Sequence, residues 1–168
     1  MSRTELVDVI DETGEVIATV TRAEAEQDGQ ISATVLVFIF DEGGRLWVQL
    51  RPQTKHHFPG LWDITACGAL LTGEDPLVGA ARELAEETGL TAELSHVESF
   101  LHEFASADGA QHRRMSQLYV GVSAEVPKAG PEVDEFKLWD PADLMEDIEE
   151  NPEAYTTPFM VELEKALG

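Results

Sequence analysis

Glu83, Glu86 and Glu87 stand close together in the chain, with Arg82 directly before them. On a helix, Glu83 and Glu87 are one turn apart on the same side, and Glu86 is three residues from Glu83. Three carboxylates on one patch repel each other unless something positive sits among them. Arg82 can pair with Glu86 one turn on, but a single guanidinium does not neutralise three acids. Mg2+ or Mn2+ does, because hard divalent cations prefer carboxylate and water oxygens. A solvated acidic face would explain a lone Glu-Glu pair in so acidic a chain, but not this spacing.

An element must present these acids. Leu77, Ala80, Ala81 and Leu84 recur at three- and four-residue steps, the pattern of an amphipathic helix. Asp75 suits the N-cap, Pro76 the first helical position and Gly89 the left-handed residue that ends a helix. The spacing predicts a helix from Pro76 to Thr88, entered by a loop from Gly68 to Glu74.

The stretch Gly68 to Leu90 resembles the Nudix box, the signature of the Nudix hydrolases: Gly, five residues, Glu, seven residues, then Arg-Glu-apolar-x-Glu-Glu-x-Gly-apolar. Gly68, Glu74, Arg82, Glu83, Leu84, Glu86, Glu87, Gly89 and Leu90 fill every slot. The resemblance implies a metal-dependent pyrophosphatase acting on a nucleoside diphosphate joined to another group. It makes Glu83, Glu86 and Glu87 metal ligands for Mg2+ or Mn2+, with the Gly68 carbonyl a further candidate. Glu83, Glu86 and Arg82 become the catalytic group, and Glu74 with Arg82 the ion pair that fixes the loop against the helix.

Such a reaction also needs an activated water and positive charge on the leaving phosphate. Glu86 is one candidate for water activation; Glu132 and Glu135, in the loop PEVDEFKLW, are others. Arg51, Lys55 and Arg113 are candidate phosphate contacts, with Arg114 beside them more readily explained by surface salt bridging. His56 and His57 could reach phosphate or sugar, although a histidine pair in a loop more often faces solvent. Trp62 and Trp139 are better explained by core packing than by stacking on a base.

The chain has 168 residues, 43% of them apolar, and a formal net charge of −22. These values predict one folded domain spanning residues 1–168, with a proper core. The charge disfavours binding to a nucleic acid polymer, which needs a basic stripe. It also obliges metal ions to supply most of the positive charge that an anionic substrate meets. The opening MSRTELVDV lacks the apolar run of a signal peptide, and no span is long enough to cross a bilayer. One cysteine, Cys67, leaves no internal disulfide and fits a reducing cytoplasm. The expected partner is therefore a small diphosphate compound, with no membrane and no nucleic acid.

In chain order, Glu5 to Ile10 and Glu15 to Val20 read as strands joined by a turn at Asp11-Glu12-Thr13-Gly14. A short helix follows from Thr21 to Asp28, and residues 1–30 form an N-terminal hairpin extension whose strands make a homodimer plausible. Ile31 to Phe40 is the most β-prone run, a central strand buried on both faces. Glu42-Gly43-Gly44 turns it into Leu46 to Leu50 as a second hairpin. A loop from Arg51 to Gly60 leads to a short strand, Ile64 to Cys67. Leu94 to Phe104 and Met115 to Ala124 follow as a strand pair turning at Asp108-Gly109, then a strand at Phe136 to Trp139. Helices close the chain at Pro141 to Glu150 and Pro158 to Leu167, the last with Phe159, Val161, Leu163 and Leu167 as its apolar face. The sum is an α/β/α sandwich with a mixed sheet, the fold that the Nudix resemblance also implies.

The order strand, basic loop, Pro-Gly-x-Trp, strand, box resembles the Nudix branch that holds isopentenyl diphosphate isomerase and hydrolases similar to it. The opening Val-Asp-x-x-Asp-x-x-Gly-Glu-Val-Ile-Ala resembles that branch as well. Cys67 falls where the isomerase carries its catalytic cysteine. The isomerases, however, follow it with Gly-His, and this chain reads Gly68-Ala69. They carry two glutamates on the strand that here reads His112-Arg113-Arg114-Met115-Ser116, and a histidine upstream where this chain has Gln30-Ile31-Ser32. Their box is degenerate; this one is complete. The expectation is a hydrolase cleaving a diphosphate linkage in a nucleoside diphosphate derivative or an isoprenoid-like compound. An isomerase and a non-catalytic nucleotide-binding domain are the alternatives.

Overall fold

Strand β3, Ile31–Phe40, carries no charged side chain in ten residues, so nothing opposes burial of both its faces. In this computed structural model, which describes residues 4–27 and 29–168, β3 is the centre of a nine-stranded mixed sheet. Strand β8 (Gln111–Val122) runs parallel to it, from Ile31↔Arg113 to Phe40↔Val122. The other edge of β3 is shared in succession. Strand β1 (Leu6–Ile10) takes Ile31 and Ser32, and β6 (Ala66–Ala69) takes Thr34 to Val37. These pairs are antiparallel, as is the hairpin of β8 with β7 (Ser95–Ala105).

Alternation along β3 sorts the core into two layers. Leu36 and Phe38 pack against Leu144 and Ile148 of helix α3 (Pro141–Glu150) and Phe159 and Leu163 of helix α4 (Phe159–Leu167). Val35, Val37 and Ile39 face the other way, onto Ala80 and Leu84 of helix α2 (Pro76–Thr88). This is the predicted α/β/α sandwich. The N-terminal hairpin joins β1 to β2 (Val16–Thr21) at the sheet's edge, where Asp11 accepts from the backbone N–H groups of Thr13 and Glu15.

Helix α2 has its predicted bounds. Asp75 accepts from Leu77 N–H at 3.0 Å, and Gly89 closes the helix with φ 73°. Its buried stripe differs from the expectation: Gly79, Ala80, Glu83, Leu84 and Thr88 face inward, while Leu77 is 48% exposed. Gly79 allows the approach, since a Cβ there would lie 2.3 Å from Leu70 Cδ2. Helix α4 shifts likewise: Glu162 is buried, and Val161 and Leu167 are exposed. In both helices the apolar count named the helix and misread its inner face, because a carboxylate occupies a buried position.

Three further expectations change. The second hairpin is minimal: β4 (Leu46–Leu50) meets β3 only at Phe40↔Leu46, then leaves to pair with β9 (Glu135–Trp139). The strand expected over Ile64 to Cys67 is broken into β5 (Trp62–Asp63) and β6. Thr65 explains the break, because its Oγ1 donates to the Trp47 carbonyl at 2.6 Å and accepts from Ile39 N–H at 3.0 Å. A hydroxyl here bridges strands that backbone groups would otherwise join. Helix α1 covers Arg22–Gln27; the predicted last residue, Asp28, lies outside the described residues. Among the described residues no helix is long and apolar enough to cross a membrane.

Candidate functional site

The β3–β6 pairing delivers Gly68 to the underside of α2, and Glu83 folds down over it. A Cβ on Gly68 would lie 2.3 Å from the Glu83 Cδ and Oε1 atoms, so only glycine leaves room for the carboxylate. Glu83 is 2% exposed, and its carboxyl lies beside that of Glu87. Burial first, and then the adjacent Glu83, push the Glu87 carboxyl well above the ordinary range. Burial raises Glu83 as well, against the opposing pull of Glu87 and Arg82. Gln49 Nε2 donates to Glu87 Oε1 at 2.7 Å and steadies it from β4.

Arg82 is the strut of this arrangement. Nε and Nη2 make a two-pronged contact with Glu74, at 2.7 and 2.8 Å, and Nη1 reaches Glu83 Oε1 at 2.8 Å. Hydrogen bonding to Glu74 raises the Arg82 pKa further, and the same contact lowers Glu74. The loop and helix are thus tied together as expected. Glu86 is drawn outward: its carboxyl is half exposed and lies 3.3 Å from Arg82 Nη1. Tertiary structure therefore gathers two of the three box carboxylates and leaves the third at the rim of the helix.

Glu83, Glu87 and Gly68 line a cavity of about 260 Å3. Arg22, Arg51, Lys55, Arg113 and Arg114 line it too, five of the eleven basic residues in a chain of net charge −22. Glu26, Asp63, Glu83, Glu87, Glu132 and Glu162 line the same cavity, so its cations are interleaved with carboxylates. Arg51 is partly committed, donating to the carbonyls of His57 (2.8 Å) and Phe58 (3.2 Å) and lying 3.5 Å from Asp63. Lys55 pairs with Glu132 at 2.6 Å, which holds that carboxyl down at about 2. Arg113 reaches Glu12 and Glu103 only at 3.6 and 3.7 Å. Arg114 is not a surface residue: it lines the cavity, its guanidinium lies 5.0 Å from the Phe104 ring centroid, and burial lowers its pKa.

The remaining candidates divide. Glu132 lines the cavity, whereas Glu135 sits on β9 and does not. His57 is buried, contrary to the solvent-facing expectation, with Glu26 and Asp108 on its two ring nitrogens. Trp62 and Trp139 pack against the core, as expected. Cys67 lines the cavity, and burial followed by the charge of Asp63 pushes its thiol well up, so it stays protonated. Sequence reasoning missed Gln49, Asp63, His112 and Glu162, all buried and all lining the cavity. Gln49, a polar residue inside the apolar run LWVQL, carried a legible signal; Glu162, inside an ordinary helical pattern, carried none.

Residues 31–159 match the family model of the NUDIX domain. The chain belongs to the Nudix family. Within it, the similarity extends to the isomerase branch. The chain is 33% identical over 165 residues to the isopentenyl-diphosphate Delta-isomerase of Serratia proteamaculans, covering 98% of this chain and 92% of that one. It is 35% identical over 166 residues to the isomerase of Streptomyces griseus, covering 96% and 83%. Among solved structures, DR0079 of Deinococcus radiodurans matches with a TM-score of 0.78 at 20% identity, over 97% of this chain and 98% of that one. The Nudix domain of Shewanella oneidensis NrtR, solved with ADP ribose, matches at 0.62 and 18% identity, over 88% and 97%. At those identities the structures speak for the fold alone. Nudix membership makes this an enzyme of the kind that acts on small diphosphate compounds with divalent metals.

The donor set fits such a metal. Two adjacent carboxyls, one of them buried, are an arrangement that a divalent cation would neutralise, and all their donors are the hard oxygens Mg2+ and Mn2+ prefer.

Proposed function

We propose that this Nudix protein is a Mg2+- or Mn2+-dependent hydrolase that cleaves a diphosphate linkage in a nucleoside diphosphate derivative or a similar small substrate. In this reading the chain acts as one domain in the cytoplasm. The observation that carries the reading is the Glu83–Glu87 pair folded over Gly68 in a cavity that collects five basic side chains. Glu83 and Glu87 hold the cation, with Glu86 and the Gly68 carbonyl as further oxygen donors. When bound, the cation polarises a phosphate oxygen and acidifies the attacking water.

The protein's own groups do the rest. Arg82 holds Glu83 in place through Glu74, which makes it a positioning residue for the metal ligands. Lys55, Arg113 and the uncommitted part of Arg51 meet phosphate oxygens. As Lys55 turns to a phosphate, Glu132 loses the largest of the contacts that hold its carboxyl down and gains basicity. Glu132, in the cavity lining, and Glu86, at the rim of the helix, are then the candidates to take the proton of the water, with Glu135 on β9.

A hydrolysis screen tests this, run with Mg2+ over nucleoside diphosphate sugars, dinucleoside polyphosphates, nucleoside triphosphates, coenzyme A and prenyl diphosphates. Turnover of one class, lost by about 100-fold or more in Glu83→Gln and Glu87→Gln with the fold retained, is the expected result. Metal binding without turnover of any compound would favour a non-catalytic nucleotide-binding domain. Unimpaired activity in the double variant would reject the site.

The isomerase reading has its own support, in the similarity to isopentenyl-diphosphate Delta-isomerases and in Cys67 lining the cavity. Against it, β8 brings Gln111, His112, Arg113 and Arg114 to the cavity and no acid. Isopentenyl diphosphate incubated with enzyme and metal separates the two: formation of the allylic isomer would establish the isomerase, and its absence leaves the hydrolase.

A further inference from the structure

His56 and His57 come from the loop between β4 and β5, and Asp108 from the turn between β7 and β8. One ligand atom from each of the three lies within 4.8 Å of the others, the sole such group of three among the described residues. None of them belongs to the Nudix box. His57 Nδ1 and Asp108 Oδ2 are 3.2 Å apart. Two ligands of a tetrahedral Zn2+, at bonds of roughly 2.0–2.1 Å, stand about 3.3 Å apart. The pair is spaced for a shared ion.

The surroundings orient both ligands. His57 Nε2 lies 3.0 Å from Glu26 Oε2, the carboxylate–histidine relay that fixes a ring with its other nitrogen aimed at a metal. Asp108 Oδ1 accepts from Ser106 Oγ and, at 3.0 Å, from Ala110 N–H, which leaves Oδ2 to face His57. His56 is exposed and its ring stands 4.4 Å from that of His57, edge to face.

We propose that His56, His57 and Asp108 form a second cation site, separate from the box carboxylates, that takes a borderline divalent ion of the Zn2+ type. Two imidazoles and a carboxylate suit Zn2+ better than Mg2+. Three protein ligands leave a position for water or for an anionic oxygen, and both histidines line the cavity that the basic residues share. The site does not depend on the hydrolase reading.

Metal-stripped, tag-free protein titrated with Zn2+ alone tests the site, with Co2+ absorption as a second readout. The expected result is one Zn2+ per chain and an intense four-coordinate Co2+ spectrum. Asp108→Asn and His57→Gln should weaken Zn2+ binding by at least ~100-fold, and Glu26→Gln by about tenfold. His56→Ala, at an exposed position, repeats the test where folding is not at stake. The Glu83→Gln/Glu87→Gln double variant should keep the site. Unchanged Zn2+ affinity in the Asp108 and His56 variants overturns the proposal; His57 then simply donates to two carboxylates. Loss of the tight Zn2+ in the Glu83/Glu87 variant also overturns it, by placing the ion on the box pair.

Discussion

Gly68 and Glu83 share one small volume, and neither residue makes sense without the other. A methyl group on Gly68 would force the Glu83 carboxylate off the strand, and through Arg82 that shift reaches Glu74. Gly68→Ala should therefore cost about 1–3 kcal/mol, the usual penalty of forced overpacking, and lower metal-dependent turnover as well; thermal melts with and without Mg2+ would measure both. Glu162 poses a different problem. It is buried and lines the cavity, and its carboxyl makes no hydrogen bond or close ion pair with any described residue; burial holds that carboxyl well above the usual range. A raised folded pKa gives a contribution that is full below the unfolded value of 4.5 and fades as pH climbs toward the folded one. Glu162→Gln should melt with the parent near pH 4.5 and above it at pH 8. A gap of at least about 2 °C would answer to ~1 kcal/mol in a chain of this size.

At the scale of elements, the β7–β8 hairpin tip is tied to the cavity by a small set of rings. His112 stacks on Phe104 at 4.9 Å and meets His57 edge to face at 4.6 Å, and its Nε2 lies 3.1 Å from Ser106 Oγ. Burial, followed by the charges of Arg114 and His57, lowers the His112 pKa from 6.5 to about 4. A depressed folded pKa gives stability that is present above pH 6.5 and lost as pH falls toward 4. Hydrogen exchange at Ala105 to Gln111 should consequently quicken, after correction for intrinsic rates, between those two pH values. His112→Asn should flatten that dependence. The loop Pro52 to Gly60 is held from the other side by Arg51, whose donors go to loop carbonyls; a basic residue expected to serve phosphate thus spends much of its capacity shaping the cavity wall.

For the whole molecule the governing quantity is the charge of −22. Folding concentrates acids that an extended chain keeps apart, and self-repulsion opposes the compact state. Raising NaCl from about 0.01 to 0.15 M shortens the Debye length from about 30 to 8 Å. The melting temperature of the metal-free protein should rise over that range, and a flat response would show that local pairs outweigh the global field. The five cations in the cavity, interleaved with its carboxylates, act at shorter range than that field.

The box helix, its caps, the acids it carries and the central apolar strand were legible in the sequence, because periodicity, capping chemistry and β-propensity act over a few residues. The Glu74–Arg82 tie was legible through the spacing of a known motif. Other features needed the third dimension. Which of Glu132 and Glu135 enters the cavity is decided by how β9 pairs with β4. Arg114 lines the cavity and Glu162 is buried because β8 runs parallel to β3 and α4 packs across that face. His57 meets Glu26 and Asp108, residues 31 and 51 positions away, only after the sheet has closed. Local spacing determines which groups share an element. Desolvation and partnership are properties of the packed interior, and they decided which of those groups came to line the cavity.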